Sequence, residues 1–170
     1  MTVTFMRHAE SVHNSKGILA GTTDTPCTES GLLEARALAE KFDGKFDAYY
    51  VSPLTRTRQT AAAVAPSATF TTDERIIERA FGVWESVSFE EIGKQPFIDV
   101  VFNDAPLKGS ETNVSVAERI TNFIEYLKEK YKVGDKILVV THGGIMIVLQ
   151  QKFAKDQEVP HNLGTLTLEL

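Results

Sequence analysis

The stretch Phe5-Met6-Arg7-His8-Ala9-Glu10-Ser11-Val12-His13-Asn14 decides how the rest of the chain is interpreted. Residues 3–6 are apolar except for Thr4 and form too short a run for a helix, so they predict a buried strand. In open α/β sheets, ligands bind beyond the carboxyl ends of the strands. The stretch therefore predicts that Arg7 and His8 lie where an anionic ligand would be held.

The composition is that of an ordinary globular protein. Its 170 residues, 42% hydrophobic and 24% charged, suffice for one domain with its own core. No apolar run approaches the roughly 20 residues of a membrane span, and no secretory signal is seen, so we expect a cytoplasmic protein. A formal net charge of -5 with interspersed charges argues against a nucleic-acid partner. The single cysteine, Cys27, excludes an intrachain disulfide and a cysteine metal cluster.

Strand and helix patterns alternate along the chain. After the first strand, strands are predicted over 46–51, 68–72, 136–141 and 165–170, and helices over 28–42, from Ser52-Pro53 to Pro66, 116–131 and 145–153. The alternation predicts an α/β fold with three α/β/α layers, in which helices flank both faces of a mostly parallel central sheet. Residues 73–109 lose this periodicity, which predicts a lid excursion from a single domain spanning 1–170.

Three later segments repeat the design of the opening stretch. Arg56 lies in the first turns of the helix after the second strand, Glu78 follows the third strand, and His142 follows the fourth. Guanidinium groups bind phosphate oxygens in pairs, and a neutral imidazole can attack phosphorus. The chain therefore favours phosphoryl transfer without a metal, in which Glu78 or Glu85 protonates the leaving alkoxide.

These residues resemble the histidine phosphatase superfamily, also called the phosphoglycerate mutase-like family. The matching blocks follow the family's order over nearly the whole chain: Arg7 to Ser11, Gly21 to Gly31, Ser52 to Arg56, Glu78 to Glu85, and Thr141 to Gly144. The resemblance implies that His8 is the nucleophile and forms a phosphohistidine. It also implies that the transferred phosphoryl group is held by Arg7, Arg56 and His142.

The resemblance extends to further site residues. Asn14 matches the position whose amide touches phosphate, and Glu78, four residues before Gly82, matches the proton donor better than Glu85 does. The expected substrate-binding set is completed by Gly21, Gly143 and Arg79, and Arg79 keeps open an acidic group on the substrate. No cofactor or metal is expected, the partner is a small phosphate ester, and the oligomeric state is left open.

Two departures and one absence refine the expected function. Ala9 stands where the family usually has glycine, and Gly109-Ser110-Glu111 departs from the usual Gly-Glu-Ser order. Mutases of the family carry a longer insertion rich in arginine and lysine, whereas residues 86–108 contain only Lys94 and Lys108. The missing insertion, with the aromatic content of the lid, favours a small bacterial-type phosphatase whose substrates have an apolar or uncharged body.

Three other functions stay open at this point. One is a phosphoglycerate mutase-type phosphoryl transfer, and another is a catalytically weak protein that only binds a phosphorylated ligand. The third is a metallohydrolase with His8, His142 and one of Glu10, Glu78 or Asp24 as ligands. The phosphohistidine route itself predicts that the pKa of His8 is depressed, because His8 must attack as the neutral base beside two arginines.

Overall fold

The computed structural model describes residues 1–170, and it contains one five-stranded sheet. Along the sheet the order is β3, β2, β4, β1, β5; all neighbours are parallel except β5, which runs antiparallel to β1. The mostly parallel sheet predicted from the sequence is thus confirmed. The strands are β1 (Thr2–Arg7), β2 (Ala48–Val51), β3 (Thr71–Thr72), β4 (Lys136–Thr141) and β5 (Thr165–Glu169).

Eight α-helices and two short 3-10 helices surround this sheet. No helix is both long enough and apolar enough to span a membrane. The 3-10 helices cover Glu74–Ile76 and Gly82–Trp84. The α-helices are α1 (Val12–Ser15), α2 (Glu29–Ala37), α3 (Ala39–Phe42), α4 (Thr55–Val64), α5 (Phe89–Ile92), α6 (Lys94–Asn103), α7 (Asn113–Lys130) and α8 (Gly143–Phe153).

Helices cover both faces of the sheet, because successive side chains of a strand point to opposite sides. Ile137 and Val139 of β4 belong to the core formed with α7 and α8, whereas Leu138 and Val140 belong to the core formed with α2 and α4. All four are fully buried. This separation into two cores confirms the three-layer α/β/α architecture.

The strand register brings three carboxyl ends to one edge of the sheet. Arg7 of β1 lies opposite Thr141 of β4, and Val51 of β2 lies opposite Val140 of β4. The chain continues this pairing beyond the strands: the amide of His8 donates to the carbonyl of Thr141 at 2.9 Å. The residues that follow β1, β2 and β4 therefore lie close together at this edge. This is the arrangement that the predicted site needs, because its residues follow these strands in the sequence.

Several element boundaries differ from the sequence-based prediction. Ser52-Pro53 was expected to cap α4, but the helix begins at Thr55 with Leu54 as its N-cap. The helix starts later because the Ser52 hydroxyl is hydrogen-bonded to His142 and so cannot cap the helix. The predicted helix 28–42 is interrupted at Leu38 and forms α2 and α3. The predicted strand 68–72 is reduced to its last two residues.

Residues 73–109 contain regular structure that their sequence pattern did not predict. Helices α5 and α6 lie in this segment and pack on a small core of their own, which consists of Leu19, Phe81, Ile92 and Val101. The segment is anchored to residues 17–19, since the amide of Leu19 donates to Val87 and the amide of Phe89 donates to Gly17. Hereafter we call residues 73–109 the lid segment.

Candidate active site

His8 follows β1 directly and is almost fully buried, with 3% of its surface exposed. Its Nδ1 atom lies 2.7 Å from the carbonyl oxygen of Ala9. Since a carbonyl can only accept, Nδ1 carries the proton and Nε2 keeps a free lone pair. Burial, followed by the charges of Arg56 and Arg7, lowers the pKa of His8 from 6.5 to about 3. His8 is therefore a neutral imidazole at pH 7, as the phosphohistidine route predicted.

Two arginines, Arg56 fully buried and Arg7 half-buried, flank His8 and are held by backbone carbonyls. The terminal nitrogens of Arg56 donate to Gly21 at 2.7 Å and to Thr23 at 3.0 Å, while Arg7 donates to Pro160 at 3.3 Å. Burial lowers the pKa of both guanidinium groups, and the negative charge of Glu78 partly offsets this effect. An arginine remains charged under such a shift, so the site holds two fixed positive charges.

His142 follows β4 and packs against His8, with ring centroids 5.3 Å apart and ring planes inclined by 62°. Its Nε2 atom lies 2.6 Å from the Oγ atom of Ser52. Burial, followed by the charge of Arg56, holds the pKa of His142 well below its ordinary value. His142 is therefore also neutral, and only one of its two ring nitrogens carries a proton.

Three buried side-chain nitrogens in the protein have no hydrogen-bond partner: Arg7 Nε, Arg56 Nε and His142 Nδ1. All three belong to residues grouped around His8. An unsatisfied buried donor costs about 1–3 kcal/mol, so such groups mark a place where a ligand completes the hydrogen bonding. Two arginine donors and a histidine nitrogen around one nucleophile suit an anion with several oxygens.

Glu78 is 8% exposed and its carboxylate is fixed by two backbone amides. Its Oε1 atom accepts from the amide of Arg79 at 2.8 Å, and its Oε2 atom accepts from the amide of Gly144 at 3.1 Å. A Cβ at position 144 would lie 2.5 Å from Oε1 of Glu78, so a side chain there would displace this carboxylate. The glycine after Gly143 thus lets this carboxylate approach the start of α8.

Glu85, the other candidate proton donor, is engaged elsewhere. Its carboxylate accepts hydrogen bonds from the amide and hydroxyl of Thr22, the hydroxyl of Thr23 and the amide of Phe81. Burial alone would raise the pKa of Glu85, but these hydrogen bonds outweigh burial and lower it. Glu85 ties the lid segment to residues 21–23, whose carbonyls in turn hold Arg56.

A cavity of about 220 Å³ opens over His8. Much of the cavity wall is apolar and includes Ile18, Leu19, Phe81, Phe89, Phe97 and Val101. His142 lies beside His8 but is not part of the cavity wall. The predicted site residues that line the cavity are Arg7, His8, Asn14, Gly21, Arg56, Glu78 and Gly143.

Asn14 and Gly21 reach the cavity through local backbone structure. Asn14 closes a capping box with Ser11, and its Oδ1 atom also lies 3.4 Å from Nδ2 of Asn162. Gly21 has φ +55°, and a Cβ there would lie 2.5 Å from Glu85 Oε1, so only glycine fits between the loop and that carboxylate. The sequence did not single out Asn162, whose amide donates to the carbonyl of His8 at 2.8 Å.

The structure places the Arg79 side chain away from the cavity wall. Its Nε atom donates to the carbonyl of Glu111 at 2.7 Å, one terminal nitrogen donates to Asn113, and the other lies 3.5 Å from Asp104. Arg79 is thus bonded within the lid segment and to the start of α7. Glu111, in the altered Gly-Ser-Glu block, forms an ion pair with Arg119 at 2.8 Å.

Other polar residues near the site have ordinary structural surroundings. Arg58 and His161 are exposed, and His13 bonds to the hydroxyl of Thr25 at 3.0 Å. Ala9 has no positive φ, and its methyl group packs in the core beside α2 and α4. No group of three His, Cys, Asp or Glu side chains is arranged to hold a metal ion.

Comparison with known proteins agrees with this geometry. Residues 3–164 match the histidine phosphatase superfamily (branch 1), and the chain belongs to that family. It is 32% identical to phosphoserine phosphatase 1 of Hydrogenobacter thermophilus over 81% of this chain and 68% of that protein. It is 30% identical to the metal-independent phosphoserine phosphatase of Arabidopsis thaliana over 85% of this chain and 65% of that protein.

Solved structures show the same fold. Bacillus stearothermophilus YhfR superimposes with a TM-score of 0.84 at 26% identity, covering 99% of this chain and 91% of that one. The family and the relatives together support phosphatase activity on a small phosphate ester.

Proposed function

We propose that this protein hydrolyses small phosphomonoesters without a metal, through a phosphohistidine on His8, with Glu78 as the proton donor. The observation that carries the proposal is the set of unpartnered buried nitrogens on Arg7, Arg56 and His142 around a neutral His8. These groups offer the positive charge and the donors that a transferred phosphoryl group requires. The Arabidopsis thaliana relative is named metal-independent, in agreement with this route.

In the first step, Nε2 of His8 attacks phosphorus and forms the P–N bond while the ester P–O bond breaks. Arg7, Arg56 and His142 donate to the phosphoryl oxygens, and Asn14 adds its amide at the same wall. The departing alkoxide takes the proton of the Glu78 carboxyl group, which lines the same cavity. The products of this step are the free alcohol and phosphohistidine.

In the second step, water attacks the phosphohistidine and the P–N bond breaks. The Glu78 carboxylate left by the first step now takes a proton from that water, so one residue acts as acid and then as base. Inorganic phosphate and neutral His8 result. The proton stays on Nδ1 of His8 throughout, because Nδ1 donates a hydrogen bond to the carbonyl of Ala9. The free lone pair is therefore on Nε2 again after each cycle.

The proposed substrates have an apolar or uncharged body. The acidic and basic side chains on the cavity wall, besides His8, are only Arg7, Arg56 and Glu78, and most other lining residues are apolar. Phosphoserine and phosphoglycerate carry a carboxylate, which a further positively charged side chain would have to bind. Arg79, the arginine predicted for that role, is bonded to Asp104 and Asn113 instead. We therefore expect aryl and alkyl phosphates to give a higher kcat/KM than phosphoserine or 3-phosphoglycerate.

Phosphoserine hydrolysis is the second candidate function, because two relatives carry that name. It is separated from the first by the ranking of phenyl phosphate, phosphoserine and 3-phosphoglycerate by kcat/KM. A mutase would instead pass the phosphoryl group to a hydroxy acid faster than to water. A cytoplasmic location, the absence of a nucleic-acid partner and the single-domain assignment with its lid stay predictions from the sequence.

The experiment that tests the proposal is turnover of p-nitrophenyl phosphate with and without excess EDTA, by the wild type and His8→Ala. We expect activity that resists the chelator and falls at least about a thousandfold in His8→Ala. Loss of wild-type activity in EDTA would favour the metallohydrolase. An inactive wild type that still binds phosphate would favour the binding protein.

A further inference from the structure

Ser52 and His142 form a hydrogen-bonded pair next to His8. Both residues are fully buried, and the Ser52 Oγ atom has no hydrogen-bond partner except Nε2 of His142, at 2.6 Å. The backbone of Ser52 is fixed on both sides, because its amide donates to Val140 and its carbonyl accepts from the hydroxyl of Thr57. The Ser52 hydroxyl is thus held at one ring nitrogen of His142, and the other nitrogen is left free.

Counting protons distinguishes the two tautomers that His142 can adopt. If Nε2 carries the proton, it donates to Ser52, the serine hydroxyl has no acceptor, and Nδ1 presents a lone pair. If Nδ1 carries the proton, the serine hydroxyl donates to Nε2 and Nδ1–H is a donor without a partner. Only the second tautomer satisfies every polar group once an anion is bound, because a lone pair on Nδ1 would repel a phosphoryl oxygen.

In this tautomer His142 Nδ1 is a hydrogen-bond donor, like the other two unpartnered nitrogens. Arg7 Nε and Arg56 Nε are donors in every state, and they share with His142 Nδ1 the property of being buried and unpaired. With the proton on Nδ1 all three are donors around His8. With the proton on Nε2 one of them would be an acceptor facing the same anion.

We propose that Ser52 is a positioning residue that holds His142 in its Nδ1–H tautomer, so that His142 donates a hydrogen bond to the phosphoryl group. This role rests on the proposed function. Ser52 acts only through His142 and does not line the cavity. Its hydroxyl selects the tautomer that is intrinsically the less favoured one for a free histidine side chain.

The direct test is the tautomer of His142, observed by ¹⁵N–¹H correlation spectra of protein labelled with ¹⁵N-histidine, with and without saturating inorganic phosphate. We expect the Nδ1–H tautomer in the wild type and a shift towards Nε2–H in Ser52→Ala. A wild-type His142 in the Nε2–H form overturns the proposal, and so does an Nδ1–H form that persists in Ser52→Ala. If Ser52→Ala does not fold, the wild-type spectrum alone decides.

Thr141→Val is the matched control. It also removes a fully buried hydroxyl next to His142, but that hydroxyl donates to the carbonyl of Ile76 at 2.8 Å and not to the imidazole. We expect Thr141→Val to cost stability and to leave the tautomer unchanged. A tautomer change of equal size in both variants would assign the effect to general loosening of the core and overturn the proposal.

The kinetic counterpart is a fall in kcat/KM of about ten- to a hundredfold in Ser52→Ala, with weaker inhibition by inorganic phosphate, because an oriented donor is lost. Ser52→Thr keeps a hydroxyl, so it is expected to retain the Nδ1–H tautomer wherever it folds. The NMR readout needs no turnover. An enzyme inactive on phosphomonoesters with His142 in the Nδ1–H form would therefore contradict the proposed function but not the role of Ser52.

Discussion

The Oε2 atom of Glu78 accepts a hydrogen bond from the backbone amide of Gly144 at 3.1 Å. This contact joins the start of the lid segment to the first turn of the helix that follows His142. It places a carboxyl group on the wall of the cavity that also contains His8, so that it can serve as the proposed proton donor. The position of the proposed proton donor is therefore set by both the sheet edge and the lid segment.

Glu78→Gln is expected to impair substrates according to their leaving group. An alkyl alkoxide needs a proton, whereas p-nitrophenolate leaves without one. The value of kcat/KM, which reports the first step and not the later hydrolysis of the phosphohistidine, should therefore fall by about 10²–10⁴ for an alkyl phosphate and far less for p-nitrophenyl phosphate. Steady-state kinetics on both esters measure this. Glu74→Gln, at an exposed carboxylate of the same segment, is the control. Equal losses on both esters would rule out proton donation by Glu78.

Glu85→Gln is expected to weaken phosphate binding without touching the substrate. The carboxylate orders residues 21–23, and the carbonyls of Gly21 and Thr23 hold Arg56. We expect a higher KM for p-nitrophenyl phosphate and a larger inhibition constant for inorganic phosphate. Glu90→Gln, at an exposed carboxylate of α5, should change neither. An unchanged KM in Glu85→Gln would show that Arg56 does not depend on Glu85 for its position.

The same variant has a defined pH dependence of stability. The folded protein holds the pKa of Glu85 below its ordinary value of 4.5, so the carboxylate stabilises the fold above that value. The stabilisation is lost as the pH falls through the folded pKa. Urea unfolding should show Glu85→Gln less stable than the wild type at pH 7, with the difference shrinking below about pH 4.5. A constant difference would contradict this sign.

The two buried histidines predict a steep loss of stability on the acid side. Each binds a proton in the unfolded chain near pH 6.5, whereas the folded chain binds one on His8 only near its lowered pKa of about 3. Below pH 6.5 each histidine should reduce the free energy of unfolding by about 1.4 kcal/mol per pH unit. In His8→Asn, the slope between about pH 5 and 6 should be smaller by that amount. An unchanged slope would mean that His8 is protonated in the folded protein.

Ala9→Gly tests whether the departure from the usual glycine marks lost activity. The Ala9 backbone is not in the left-handed region, and its methyl group is fully buried in the core beside α2 and α4. Removing it should cost about 1–2 kcal/mol of stability and change kcat/KM by no more than about twofold. A large gain in activity would instead support the catalytically weak binding protein.

The architecture and most of the site could be predicted because they follow from local signals. Buried strands such as Lys136–Thr141 are marked by apolar runs, and Arg7, His8 and His142 come directly after such runs. The register then brings their ends together by the general geometry of parallel sheets.

What could not be predicted depends on contacts between distant parts of the chain. Ser52 looks like a helix cap in the sequence, and only its pairing with His142, 90 residues later, gives it another partner. Arg79 follows Glu78 directly, yet its guanidinium bonds to Asp104 and Asn113 from a later segment. Helix α6 was missed because its apolar residues do not form one buried stripe: Phe97 and Val101 pack in the small lid core and line the cavity, whereas Phe102 is exposed.

The central claim is that His8 carries the phosphoryl group during turnover. Its most direct test is to mix the enzyme with p-nitrophenyl phosphate, quench with alkali within the first turnover, and locate the modified peptide by mass spectrometry. We predict the added mass of one phosphoryl group on the peptide containing His8, absent in His8→Ala and unaffected by EDTA. Turnover without any phosphorylated peptide, or a phosphoryl group on another residue, would contradict the account.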